Sequence, residues 1–149
     1  MTPEQIDLVQ ESFDRIRPSA MEAVDLLYDR LFSMAPQLRP LFRGDAPEQK
    51  RMLMAVLGTA VAGLGRLDKL KPTLSALGRR HAGYGIEPEH YRVFGDALIW
   101  SLEQHLADAL TPAIRQAWVE AYAELAAAMI DAADEAEPAG SNVDRPEGD

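Results

Sequence analysis

Apolar side chains return every three or four positions along most of this chain, and nowhere in sustained alternation. That spacing keeps side chains on one face of a helix, whereas a strand needs a period of two. Ile6, Val9, Phe13 and Ile16 form the first stripe. It is opened by Thr2-Pro3-Glu4-Gln5, where Thr2 can cap the helix, Gln5 can answer it and Pro3 suits the first turn. Val24, Leu27, Tyr28, Leu31 and Phe32 form a second stripe, with Ser19 and Glu22 three apart as its cap. Pro36 ends that helix near Ala35, because the residue before a proline avoids helical backbone.

"PQLRPLF" is too short and proline-rich for a long helix and predicts a tight corner with Leu38, Leu41 and Phe42 apolar. "RGDAPEQK" supplies a loop and a new helix start, after which Leu53, Val56, Leu57, Ala60, Val61 and Leu64 share a stripe. A polar link, "GRLDK", leads to Leu70, Leu74 and Leu77, and Gly83 and Gly85 stop that helix. Pro88 opens another with Tyr91, Phe94, Leu98, Leu102 and Leu106 inward. Thr111-Pro112 starts the last, with Ile114, Trp118, Tyr122, Leu125 and Met129. Six or so helices with short links make an all-α domain.

Composition narrows what such a domain can do. The 149 residues fit one domain, expected over 1–133, with an acidic tail over 134–149 that lacks an apolar face and is expected to be disordered. With no cysteine, thiolate catalysis, disulfides, Cys-ligated zinc and iron–sulfur clusters are excluded. The net charge of −9 argues against nucleic acid, whose phosphates need a basic face. No run approaches the roughly 20 apolar residues of a membrane span, and "MTPEQIDLVQ" lacks the basic and apolar stretches of a signal peptide. A soluble, cytoplasmic protein with no membrane partner is expected.

The chemistry concentrates in "LGRRHAGYG". His81 falls four residues past Leu77, where a further leucine would continue the stripe, so its ring points inward while Arg79 and Arg80 face solvent. Position alone suits two readings: a core histidine bonded to a backbone carbonyl, or a metal ligand. His90 and His105 each precede an inward residue and are expected at the solvent edge. No HExxH spacing exists, and a di-iron site needs two Glu-x-x-His pairs where this chain has one, Glu87 with His90, which argues against zinc and di-iron sites. A lone histidine ligand makes sense where a porphyrin fills the other coordination positions, and a noncovalent haem leaves no short motif.

Four segments, "LLYDRLFSMAPQLRPLF", "QKRMLMAVLG", "LGRRHAGYGIEPEHYRVFGDALIWSLEQ" and "AWVEAYAELAAAMI", in this order and at these separations, resemble a globin over about Thr2 to Asp131. The likeness is nearest to bacterial single-domain globins and the haem domain of flavohaemoglobins. It implies a globin fold of six to eight helices around a pocket for noncovalent haem b. By this resemblance His81 is the proximal iron ligand, Phe42 packs on the porphyrin, and Leu53 lies over the distal side. Tyr28 and Gln49 would be the distal hydrogen-bonding pair. Tyr91 would orient the proximal imidazole together with a glutamate of the last helix. That glutamate's place falls near Ala132 or Ala133, and Glu135 is expected past the helix end.

With an amide at Gln49 in place of a distal histidine, the resting iron is expected five-coordinate or water-bound. The resemblance implies reversible binding of O2 and of NO and CO, for oxygen transport or storage. The alternatives are nitric oxide dioxygenation with a separate reductase, weak peroxidase activity, or gas or redox sensing, against which the lack of a fused output domain weighs. A monomer or weak homodimer is expected, pairing through the helix of His81 and the small residues of "AYAELAAAMI".

Overall fold

The computed structural model describes residues 1–42 and 46–136. Its α-helices are α1 (Pro3–Ile16), α2 (Ala20–Met34), α3 (Ala46–Ala62), α4 (Leu67–Gly83), α5 (Pro88–Leu106) and α6 (Pro112–Ala136), and no strand occurs among the described residues. Four 3-10 segments tighten the corners among the described residues, single turns at Arg17–Ser19, Leu64–Arg66 and Ala107–Ala109 and two turns at Pro36–Leu41. The expected all-α architecture is therefore present, with the helix count at the low end of the expected range.

Most boundaries follow the expected local chemistry. Thr2 Oγ1 accepts from the Gln5 N–H at 3.1 Å, and Gln5 Oε1 accepts from the Thr2 N–H at 3.1 Å. The second expected cap does not form. Arg17–Ser19 run as a 3-10 turn straight into α2, and Ser19 is not extended as a capping residue must be. Its hydroxyl instead lies 2.7 Å from His105 Nε2, tying the start of α2 to the end of α5. The expected polar link before α4 is also shorter, since the 3-10 turn at Leu64–Arg66 leads directly into a helix beginning at Leu67. At the far end α6 continues to Ala136, so Asp134 and Glu135 extend the helix; the rest of the expected tail lies outside the described residues.

Helix α4 packs on α6, α2 on α5, and α1 on α6. Val9, Phe13 and Ile16 of α1 meet Val24, Leu27 and Leu31 of α2, Leu98 and Leu102 of α5, and Trp118 of α6 in one core. Leu27 and Leu31 are almost wholly enclosed, and each contributes about 1.5–3 kcal/mol by leaving water. Trp118 Nε1–H donates to the buried Ser12 Oγ at 2.8 Å, and that hydroxyl donates back to the Leu8 carbonyl at 2.8 Å, so the indole stays satisfied inside. The approach of α4 to α6 depends on Gly78. A Cβ there would lie 2.3 Å from the Met129 carbonyl oxygen. The small residues of "AYAELAAAMI" serve this contact within the chain: Ala126, Met129 and Ala132 are buried on α6, beside Leu74 and Gly78 of α4.

Candidate functional site

Between α2, α3, α4, α5 and α6 lies a cleft with about 980 Å³ of empty space, its mouth included. Its walls are almost wholly apolar: Leu31, Leu38, Leu53, Leu57, Leu74, Leu77, Ile86, Phe94, Leu125 and Met129 line it, with Tyr28, Phe42, His81, His90, Tyr91 and Tyr122 among them. Val56 also lines it yet stands 40% exposed, and Met52, one turn before it on α3, is 56% exposed. The stripe read along α3 is thus buried only at one end, and the other end borders an opening.

The first reading of His81, a core histidine bonded to a backbone carbonyl, is what the structure shows. Its Nδ1 lies 2.8 Å from the Leu77 carbonyl oxygen, one helical turn back. A carbonyl can only accept, so the proton sits on Nδ1 and Nε2 carries the lone pair. Burial among apolar neighbours lowers the pKa of the ring, the Leu77 bond raises it in part, and the Arg80 charge lowers it. The result is a neutral imidazole whose orientation and tautomer are set by backbone, the state in which imidazole binds a metal.

His90 is the opposite case. Expected at the solvent edge, it is half-buried and lines the cleft, in the first turn of α5. Its Nδ1 accepts from the Glu87 N–H at 2.9 Å, which puts the proton of the neutral ring on Nε2. His90 is thereby a donor where His81 is an acceptor. The signal for it was Pro88, which fixes a helix start and makes His90 a capping partner three residues after Glu87. His105 is also half-buried, held by Ser19.

On the side formed by α2 and α3, Tyr28 is buried with its ring edge-on to Phe42 at 5.5 Å and to Phe32 at 5.8 Å. Burial raises the pKa of its hydroxyl, so it stays a protonated donor, and no hydrogen bond among the described residues engages it. Leu53 and Phe42 line the cleft as the sequence suggested. Gln49 does not; it is half-buried in the first turn of α3, four residues before Leu53. Its neighbour Lys50 occupies the space against α2, with its ammonium 2.6 Å from the Asp25 carboxylate and 5.8 Å from the Tyr28 ring centroid.

Tyr91 lies near-parallel to the His81 ring, centroids 6.2 Å apart. Its hydroxyl is buried with no hydrogen-bond partner among the described residues, and burial raises its pKa. At the place where the resemblance puts a glutamate in other members, Ala132 is buried and Ala133 half-buried. What orients the imidazole is the Leu77 carbonyl, and Tyr91 contributes ring stacking. Tyr122 holds Tyr91 from behind, donating its hydroxyl to the Tyr91 carbonyl at 2.7 Å. Elsewhere among the described residues, no three His, Cys, Asp or Glu converge as a metal site would require, and no helix is long and apolar enough to cross a membrane.

Comparison with known proteins places these observations. The globin family model matches residues 25–129. A flavohaemoprotein of Bacillus subtilis is 30% identical over 128 residues, which are 84% of this chain but 32% of that protein, so the chain spans about a third of its length. Among solved structures, an engineered carbene transferase, a putative nitric oxide dioxygenase from Rhodothermus marinus, superposes with a TM-score of 0.82 at 22% identity, covering 93% of this chain and 97% of that one. A flavohaemoglobin of Malassezia yamatoensis with FAD and haem bound superposes with a TM-score of 0.76 at 21% identity, covering 92% of this chain and 37% of the other.

Proposed function

The chain belongs to the globin family, and from that premise we propose that it holds haem b noncovalently through His81 and binds O2 reversibly, along with CO and NO. One observation carries this reading: in a cleft walled by hydrocarbon, the bond from His81 Nδ1 to the Leu77 carbonyl leaves the Nε2 lone pair as the ring's open position. The residues fit a porphyrin, which needs an apolar slot and one neutral imidazole. Bound there, a haem would supply an iron able to take a diatomic gas, with His81 as the residue that holds it. Phe42, Leu53 and Leu57 would exclude water from the gas, and the Tyr28 hydroxyl would donate to it. His90, its Nδ1 already engaged, offers no lone pair through Nε2, which supports a resting state without a second histidine ligand.

The test is a visible-absorption titration of the purified chain with haemin. A Soret band saturating at one equivalent is expected. His81→Gly, checked by circular dichroism for retained helix, should lose haem on gel filtration, and added imidazole should restore the band. Absence of a Soret band in the wild type, or an unchanged spectrum and retention in His81→Gly, would overturn the reading.

Nitric oxide dioxygenation with a separate reductase is the second reading, favoured by the likeness to a flavohaemoprotein and to a putative nitric oxide dioxygenase. It requires nitrate formation from NO and O2 over many turnovers when a flavin reductase is supplied. A single turnover that stops at the ferric protein would leave O2 binding as the function.

A further inference from the structure

The charges of this acidic chain are unevenly placed. The whole carries 24 acidic and 15 basic residues. Over residues 64–83, which span α4 and the turn before it, the balance reverses to five basic residues and one acidic, Asp68. Lys71 points toward α6, where it shares a groove with Glu124 and Asp131. The other four, Arg66, Lys69, Arg79 and Arg80, are exposed, and no ion pair among the described residues engages them. Leu74, Leu77, Gly78 and His81 mark the inward side of α4, and helical spacing sets Lys69 and Arg80 on the side away from it. Between them lie Thr73 and Ala76, small and exposed, so the face is both cationic and flat. Tyr84, just past the helix end, adds a half-exposed aromatic ring at the same end as His81.

We infer that this outer face of α4 docks an acidic protein that delivers electrons. Charge complementarity selects the occupant. A second copy paired two-fold on this face would set arginine against arginine, which costs affinity. An acidic partner gains from the same charges and is steered toward this face of a molecule that is acidic as a whole. Position gives the docking its use. Any globin that turns ferric needs one electron to bind O2 again, and α4 carries the residue proposed to hold the iron, so a partner seated here is separated from that residue by the thickness of one helix. The transfer moves one electron from the partner's reduced flavin to the ferric protein, with no atom or proton exchanged. The electron-delivery part rests on the haem reading above; the docking part does not.

The experiment uses the full chain, with and without haem, and a flavodoxin as the acidic flavoprotein probe. Calorimetry should give a complex that weakens by about tenfold or more between low salt and 0.3 M salt, as screening over a shorter Debye length requires. The double variant Lys69→Glu, Arg79→Glu should weaken it by at least about tenfold at low salt and slow reduction of the ferric protein by flavodoxin in proportion, with dithionite reduction unchanged. Arg15→Glu, Arg17→Glu, at the end of α1 and in the turn after it, makes the same change in net charge and should have at most about a twofold effect. Equal effects from the two double variants, or binding indifferent to both, would overturn the proposal. So would sedimentation showing self-association of the wild type that the α4 variant abolishes, since that would give the face to a second copy. If the chain takes no haem yet flavodoxin still binds at α4, the haem reading falls and the docking surface stands.

Discussion

Two histidines of one cleft carry their protons on opposite nitrogens, and the backbone decides which. The Nδ1–H of His81 donates to a carbonyl one turn back, whereas Nδ1 of His90 accepts from an N–H at the start of α5. Sequence spacing showed that His81 points inward, but it could not separate a core histidine from a ligand, because the same carbonyl bond serves both. Tyr28 and Leu53 were legible as inward residues for the same reason of spacing. Gln49 was not, because its place depends on how α3 enters the fold, and Lys50 takes the contact with α2. A donor inside the cleft and one outside it should differ in effect. Tyr28→Phe should speed O2 release by about 10- to 100-fold, the loss of one hydrogen bond to a charged acceptor at ~1.5–3 kcal/mol. Gln49→Ala should change it by less than about threefold. Laser-flash or stopped-flow off-rates measure both, and the reverse order would show that the amide, not the phenol, reaches the gas.

At the scale of the helix, the contact of α4 on α6 sets where His81 stands. Gly78 lies three residues before it, under the Met129 carbonyl with no room for a methyl group. Gly78→Ala must push the helices apart. We expect a loss of about 1–3 kcal/mol by chemical denaturation, the usual range for overpacking. In the haem-loaded protein it should also shift the iron–histidine stretching band in resonance Raman, because the imidazole moves with its helix. Ala76→Gly, on the exposed side of α4, should cost about 1 kcal/mol by propensity alone and leave that band in place. A band that stays put in Gly78→Ala would show that α4 accommodates the methyl without moving His81. Helix boundaries were mostly readable, since Thr2, Pro36, Pro88 and Pro112 each act through their own backbone. The glycine contact was not, because close approach between helices distant in sequence leaves no local mark.

Taken as one molecule, the chain has a solid half and a hollow half. Phe13, Leu27, Leu102 and Trp118 fill the space among α1, α2, α5 and α6, while the cleft opens between α3 and α4 on one side and α2, α5 and α6 on the other, with α4 still closed onto α6 at Gly78. A ligand that occupies the cleft binds only the folded state and must stabilise it by mass action. With free haem at about 1,000 times its dissociation constant, the gain is ~4 kcal/mol, and Tm should rise by roughly 10 °C in calorimetry. No rise on loading would mean that haem does not bind the folded chain in preference to the unfolded one. The all-α class and the family likeness were legible from periodicity and the order of segments. The basic outer face of α4 is also written in the sequence, but it becomes a surface only when packing shows which side of the helix is turned outward.

The exposed Val56 and Met52 at the mouth of the cleft bear on how the protein survives its own synthesis. Before anything fills the cleft, each newly made chain offers its neighbours a rim of aliphatic side chains with an apolar slot behind it, the kind of surface through which unrelated chains adhere. Soluble yield in a cell is then governed by the supply of cofactor during expression more than by the strength of the helical core. Overproduction without added haem precursor should drive the chain into inclusion bodies.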